Sequence, residues 1–210
     1  MRLLVSILLA ALLLPTARAQ QDIVFWHALS GALGNEPDSL VRRFNESQKD
    51  YRVVAVHKGS YEDTMIAALA EQRIGSGPHI VQVYEVGTGH MMVWRSAYVP
   101  AWKVLADAGE SLEARSFLPP VAGYFADSTG KLLALPFNLS TPILFYNKDT
   151  FRKAKLDPEK PPKTWYEIPK IVGELKDVAG VDCALTTTWP SWVMLENMST
   201  WHNQDFATKE

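Results

Sequence analysis

The sequence predicts an α/β fold built on a mostly parallel sheet. Three observations carry that expectation. Short apolar strands alternate with amphipathic helices over residues 22–95, an order that closes through right-handed crossovers. The first three strands each give way to a loop rich in glycine or polar residues, at 26–34, 58–61 and 85–89. Gly75-Ser76-Gly77-Pro78 stops the second helix just before the third strand. Ligands in such sheets sit beyond the carboxyl ends of the strands, so the three loops mark the face on which to look for a site.

Taken in order, residues 22–26 are apolar and read as the first strand. Residues 37–48 read as a helix, with Leu40, Val41 and Phe44 on one face and Pro37 in the first turn. Residues 51–57 alternate as a strand does. Residues 61–74 carry Met65, Ala68, Leu69 and Gln72 at helical spacing. A strand is expected at 80–84 and a short helix at 88–95. Past Pro100 the pattern loosens: 116–123 reads as a short helix or turn, and 131–135 and 141–146 as strands. Pro136 and Asn138 mark a turn between those strands, and Lys148-Asp149 opens a helix. Residues 158–162 form a linker. Thr164-Trp165-Tyr166-Glu167 has the form of a capping box for a helix to about 178. Residues 182–186 suit a strand and 191–201 a helix. The sequence contains neither an internal repeat nor a low-complexity segment.

The first nineteen residues read as a secretory leader. Arg2 is followed by an apolar run from Leu3 to Leu14, then Pro15 and the small-residue site Ala17-Arg18-Ala19, which predicts cleavage before Gln20. The run is short for a membrane span, and the residue after the cleavage site is not a cysteine. The alternative is an uncleaved anchor. Two of the 21 basic residues fall in this leader, so the mature chain is more acidic than the formal −2 of the whole. With no basic run, nucleic acid is not an expected partner. Cys183 is the single cysteine and has no internal disulfide partner; a buried, inert thiol is the expectation. Residues 201–210 stop in what reads as mid-loop, which suggests a truncated chain.

Several residues could carry function. Lys58-Gly59-Ser60-Tyr61 puts a phenol at a strand-to-helix turn, where Tyr61 either meets a ligand or packs the helix start. Val83-Tyr84-Glu85-Val86-Gly87 puts a carboxylate at a strand end, where Glu85 either accepts from ligand hydroxyls or favours the next helix. Ser140 and Thr141 offer hydroxyls beside a strand. Trp189-Pro190-Ser191-Trp192 sets two indoles ahead of a helix, suited to the C–H face of a polyol or to core packing. His27 reads more readily as a satisfied structural histidine than as a ligand. The five histidines show no metal-binding spacing. No nucleophile elbow, Walker loop or dinucleotide fingerprint is present, so no cofactor or metal is expected. Glu85 and Asp127 form an imaginable hydrolase pair, though nothing in the sequence places them together.

Several segments jointly resemble the periplasmic sn-glycerol-3-phosphate-binding proteins of ABC importers, within the maltodextrin-binding-like extracellular solute-binding family 1. They are Phe25-Trp26-His27 with Gly31 and Gly34, Tyr51 with Lys58-Gly59 and Tyr61, and Gln82-Val83-Tyr84-Glu85-Val86-Gly87-Thr88. Residues 136–149, Pro161-Pro162-Lys163-Thr164-Trp165 and Leu195-Glu196-Asn197 add to them. The resemblance implies a type II-like periplasmic binding fold: an amino-terminal lobe at 20–135, then a crossover strand and the incomplete start of a second lobe at 136–210. It implies ligand contacts at Tyr61, Glu85 and Ser140, with Trp189 stacking on the glycerol. An anionic Glu85 would repel phosphate, so it suits the glycerol hydroxyls, and Ser140 suits the phosphate. Leu139 stands where relatives often carry a small polar residue. The expected ligand is sn-glycerol 3-phosphate or a glycerophosphodiester such as glycerophosphocholine. The expected partners are an inner-membrane ABC permease and its ATPase. A monomer in the periplasm, without enzymatic activity, completes the expectation. In the family the second lobe adds an Arg and further Ser, Gly and Tyr contacts, which would lie past Glu210, so the chain alone should bind weakly. The alternatives are an oligosaccharide binder of the same fold, a secreted hydrolase using Glu85, or a non-binding remnant.

Overall fold

The computed structural model describes residues 20–112 and 116–206, without the side chains of Glu85, Val86, Met92 and Arg95. The expected leader lies outside these residues. The chain divides into two compact units, Met1–Phe137 and Asn138–Glu210.

In the first unit β1 (Gln21–His27) lies between β2 (Tyr51–His57) and β3 (Ile80–Val81), all parallel. The register runs from Gln21 opposite Tyr51 to His27 opposite His57, with Trp26 opposite Val81. Helix α1 (Glu36–Ser47) joins β1 to β2 and α2 (Tyr61–Arg73) joins β2 to β3. Parallel neighbours need such crossovers because a tight turn cannot reverse the chain twice. Helices α3 (Glu85–Val93), α4 (Ala101–Asp107) and α5 (Pro119–Phe125) follow.

Side-chain amides close the sheet. Asn45 of α1 donates to the Val53 carbonyl at 2.9 Å and accepts from the Val53 N–H at 2.8 Å, as a neighbouring strand would. Gln48 does the same for Tyr51. On the other side β3 is shorter than the expected 80–84. The N–H of Gln82 still bonds the Trp26 carbonyl, but the Gln82 side chain then turns back and accepts from the Ala28 N–H at 2.9 Å. The ladder thus ends in an amide that pins the loop after β1. Pro37, Thr64 and Met65 are buried against the sheet. Leu40 and Phe44 remain exposed, contrary to the expected face, and only Val41 of that trio is half-buried. A narrow three-stranded sheet offers α1 little surface, and Asn45 holds the helix by polar contact instead.

The second unit has its own small core. Phe151 and Ala154 of α6 (Lys148–Lys153) and the turn after it pack with Leu175 of α7 (Ile168–Asp177), ringed by Tyr146, Leu156 and Ile171. Asn147 caps α6 by accepting from the N–H groups of Asp149 and Thr150. The expected capping box at Thr164 takes a different form. Glu167 reaches past Thr164 to accept from the Lys163 N–H at 2.8 Å, and a 3-10 turn, Trp165–Glu167, precedes α7. A π-helical turn, Ser191–Asn197, leads into α8 (Met198–Trp201) where a plain helix was expected.

Three expected strands are absent. Residues 131–135 make only an isolated antiparallel bridge between Ala126 and Leu132. Residues 141–146 and 182–186 form no ladder. Apolar composition suits a strand, but a strand exists only where a neighbour takes its backbone groups along its length. Residues 131–133 exchange a few backbone bonds with Ala101, Trp102, Phe125 and Asp127, too scattered for a ladder, and 141–146 and 182–186 pair with no strand among the described residues. The turn expected at Pro136 and Asn138 is likewise extended chain. Cys183, expected to be buried, is exposed. Without a strand at 182–186 it is left uncovered among the described residues, and its thiol donates to the nearby Leu185 carbonyl.

Candidate functional site

The carboxyl edge of the first unit's sheet is where its polar side chains gather. Strands β1 and β2 end level with each other at His27 and His57, whose ring centroids are 5.6 Å apart. The two rings border an open hollow of about 350 Å³, shared with Ser30, Asn35 and Asp38. His27 is 3% exposed, and its Nδ1 has no hydrogen-bond partner among the described residues. It is therefore a core histidine, as expected, but not a satisfied one. Burial lowers its pKa below the ordinary 6.5, the nearby His57 pushes the same way, and Asp38 opposes them. Trp26 is buried with the Lys58 ammonium 4.0 Å above its ring. That contact gives Trp26 a packing role.

The loop after β2 presents Tyr61. Gly59 has φ +97°, a conformation that suits glycine. Ser60 then caps α2 in a full capping box: its side chain accepts from the Asp63 N–H while the Asp63 carboxylate accepts from the Ser60 N–H. Those bonds from the Ser60 backbone and hydroxyl hold the Asp63 carboxyl below its usual range. Tyr61 is the first residue of α2, and its half-buried ring stacks on Tyr84 at 5.4 Å and 10° between planes. Tyr84 is the N-cap residue of α3 and Glu85 the first residue within it. The Glu85 side chain lies outside the described residues, so the structure fixes only its backbone. It brings Tyr61 and the Glu85 segment to one edge of the sheet. Tyr84 carries no expected role in the sequence, although a second aromatic at that strand end is the signal that marks it.

Ser140 and Trp189 belong to the second unit. Ser140 is exposed in the extended stretch before α6. Trp189 is 56% exposed and has φ +45°, a left-handed backbone that is costly for a residue with a side chain. Its ring meets Trp192 edge-on at 6.1 Å. The π-helical turn begins two residues on, and Asn197 donates to the Trp192 carbonyl at 2.7 Å to hold it. Two uncommon backbone states thus flank one exposed indole. Turns of the π type frequently accompany functional sites.

The imagined hydrolase pair fares worse. One Asp127 carboxylate oxygen accepts from the Thr129 N–H, the Thr129 hydroxyl and the Lys131 N–H. These bonds hold its pKa low, and a carboxyl kept ionised by a turn is a poor proton donor. Among the described residues no three His, Cys, Asp or Glu side chains gather as a metal would need, and no helix is long and apolar enough to cross a membrane.

Polar loops at the carboxyl edge of an α/β sheet are where such folds place a ligand. The structure of CpMnBP1 with mannotriose bound matches with a TM-score of 0.59 and 22% identity, over 74% of this chain and 38% of that one. The cyclic α-maltosyl-1,6-maltose binding protein of Arthrobacter globiformis matches with a TM-score of 0.56 and 22% identity, over 77% and 39%. These likenesses give the fold, that of type II periplasmic binding proteins. The family model of the bacterial extracellular solute-binding proteins matches residues 30–210, and the chain belongs to that family. It is 48% identical over 194 residues to the sn-glycerol-3-phosphate-binding periplasmic protein UgpB of Yersinia pestis bv. Antiqua, covering 92% of this chain and 44% of that protein. It is 45% identical over 205 residues to the protein of the same name from Escherichia coli O6:K15:H31, covering 97% and 46%. The chain thus spans less than half the length of these relatives.

Proposed function

We propose that this chain belongs to a periplasmic binding protein that delivers sn-glycerol 3-phosphate to an ABC importer. The identity of 45–48% to proteins bearing that description, along nearly the whole chain, is the observation that carries the reading. In this reading the leader at residues 1–19 is cleaved on export, the protein acts as a monomer, and no bond of the solute is made or broken. A glycerophosphodiester such as glycerophosphocholine enters by the same glycerol phosphate end.

The proposed roles follow from the chemistry of the groups. Tyr61 and Glu85 take the glycerol hydroxyls, the carboxylate as acceptor and the phenol as both donor and acceptor. Ser140 donates its hydroxyl to a phosphate oxygen. Trp189 lies against the C–H face of the glycerol, and its exposure beside a strained backbone supports that role. In a two-lobed binder the lobes close on the solute by hinge motion. A chain of this length holds part of the contacts, so the expected affinity is about millimolar, some −4 kcal/mol.

The test is a titration of the chain with sn-glycerol 3-phosphate, glycerophosphocholine and maltotriose, followed by ligand-observed NMR. Saturable binding of the phosphate compounds, with the sugar inert, is the expected result. Trp189→Ala should weaken it by about one to three kcal/mol. Binding of maltotriose without the phosphate compounds would transfer the chain to the oligosaccharide binders. Appearance of hydrolysed ligand would make it an enzyme.

A further inference from the structure

We propose that Tyr84 is a positioning residue, which holds the Tyr61 phenol at the carboxyl edge of the sheet. The proposal rests on the reading of Tyr61 as a ligand contact. The two rings are nearly parallel, 10° apart, with centroids at 5.4 Å. That is the offset stack aromatic pairs favour over a face-to-face sandwich. The two backbones that carry them are independently fixed. Ser60 and Asp63 lock the start of α2 through the capping box. Tyr84 is extended at φ −93° and ψ 169°, and leads directly into α3.

Tyr84 also lies close to the start of α3. A Cβ added at Gly87, which is buried, would stand 3.3 Å from Tyr84 Cδ1, 3.1 Å from Val83 Cγ1 and 2.7 Å from Met65 Sδ. The glycine lets the first turn of α3 come this close to Met65 of α2 without moving its side chain. The Tyr84 ring thus packs both beside the Gly87 turn and on the Tyr61 ring. A phenol on the first turn of a helix would otherwise choose among rotamers, and each choice moves its oxygen by several ångströms. Holding the ring before the ligand arrives removes that ordering cost from binding. Tyr84 also precedes Glu85 directly, so the same residue ties the two proposed glycerol contacts to one another through the backbone.

The experiment uses the whole chain labelled with 13C on the tyrosine rings. The Tyr61 signal is identified by its loss in Tyr61→Phe. In Tyr84→Leu the Tyr61 signal should move and broaden as the neighbouring ring current and the stack are lost. The affinity for sn-glycerol 3-phosphate should fall about tenfold. Tyr84→Phe keeps the stack and should restore the signal and bring affinity back to within about threefold. The double variant Tyr61→Phe/Tyr84→Leu should bind no worse than Tyr61→Phe, because Tyr84 acts only through Tyr61. If Tyr84→Leu does not fold, Tyr84→Met, which keeps more of the bulk but no ring, takes its place and should shift the Tyr61 signal. An unmoved Tyr61 signal overturns the proposal whatever the affinities show. Additive losses in the double variant overturn it too. If Tyr61→Phe binds as tightly as the parent chain, the reading of Tyr61 as a contact fails, and the proposed function fails separately only if no variant binds the phosphate compound at all.

Discussion

At the scale of single residues, the sharpest consequence concerns His27. Its imidazole is buried without a partner for Nδ1 among the described residues, and its pKa is lowered. In the unfolded chain the same group titrates at its ordinary value of 6.5. As pH falls through that value, the unfolded chain takes up a proton that the folded chain refuses, so stability must drop. The loss begins near pH 6.5 and continues down to the lowered folded value. It precedes the loss from Asp22, Asp63, Asp127 and Asp157, whose pKa values are held below their ordinary 3.8 and which act only in stronger acid. Urea melts at pH 8.0 and 5.5 should show the earlier loss, and His27→Gln should largely abolish it; an equal drop in the variant would acquit His27. Ser60 supports a second prediction. Ser60→Ala removes half of a capping box and should cost about 1 kcal/mol in the same melts. Side chains whose setting is local were readable from the sequence, as the Gly59-Ser60-Tyr61 turn shows. Cys183 and His27 were not, because burial and hydrogen-bond satisfaction depend on what distant chain covers them.

At the scale of elements, periodicity located β1, β2, α1 and α2 to within a residue or so of their ends. It misjudged 131–135, 141–146 and 182–186 because a strand needs a partner along its whole length, and even 131–133 find only a few scattered backbone bonds. A helix bonds to itself, so its sequence carries its own partner. A strand borrows its partner, and an apolar run cannot declare whether one is present. The edge of β2 shows how such a debt is met. The Asn45 amide supplies one donor and one acceptor to Val53 from within α1. Asn45→Leu keeps the bulk but strands both groups of Val53 in a part-buried place. It should cost about 1–3 kcal/mol in thermal unfolding. Hydrogen exchange at the Val53 amide should accelerate well beyond that of Trp26 in the central strand β1. Equal protection of Val53 in the variant would mean that the amide bridge holds nothing. The second unit offers a matching probe, since Phe151, Ala154 and Leu175 form its whole buried cluster among the described residues. Phe151→Ala should cost about 3–5 kcal/mol and unravel exchange protection in α6 and α7. Protection in β1 and β2 should survive, because the two compact units have separate cores.

At the scale of the whole molecule, apolar surface is the feature that composition hid. A chain with a formal charge of only −2 and unremarkable hydrophobic content gives no warning of it. Yet Phe145 is 85% exposed, Ile143 67% and Leu139 62%, all within one extended stretch that makes no ladder. Such a stretch presents a row of backbone donors and acceptors beside large apolar side chains, the pattern that recruits another strand. The nearest charges, at Lys148 and Asp149, are already engaged with Glu159 and Arg152. Little local charge is therefore left to discourage pairing. Taken by itself, the chain should self-associate as its concentration rises, unlike the monomeric whole protein proposed above, with the extended stretches of two copies pairing. Sedimentation velocity should show a weight-average mass that climbs with concentration. Ile143→Lys/Phe145→Lys places like charges on both sides of the would-be pair and should return the chain to a single monomeric boundary. Because those side chains are exposed and contribute little to either core, the melting temperature should change by less than about 2 °C. If the double variant associates as strongly as the parent chain, the contact lies elsewhere on the surface. If it unfolds, residues 139–145 are holding structure that their exposure does not reveal.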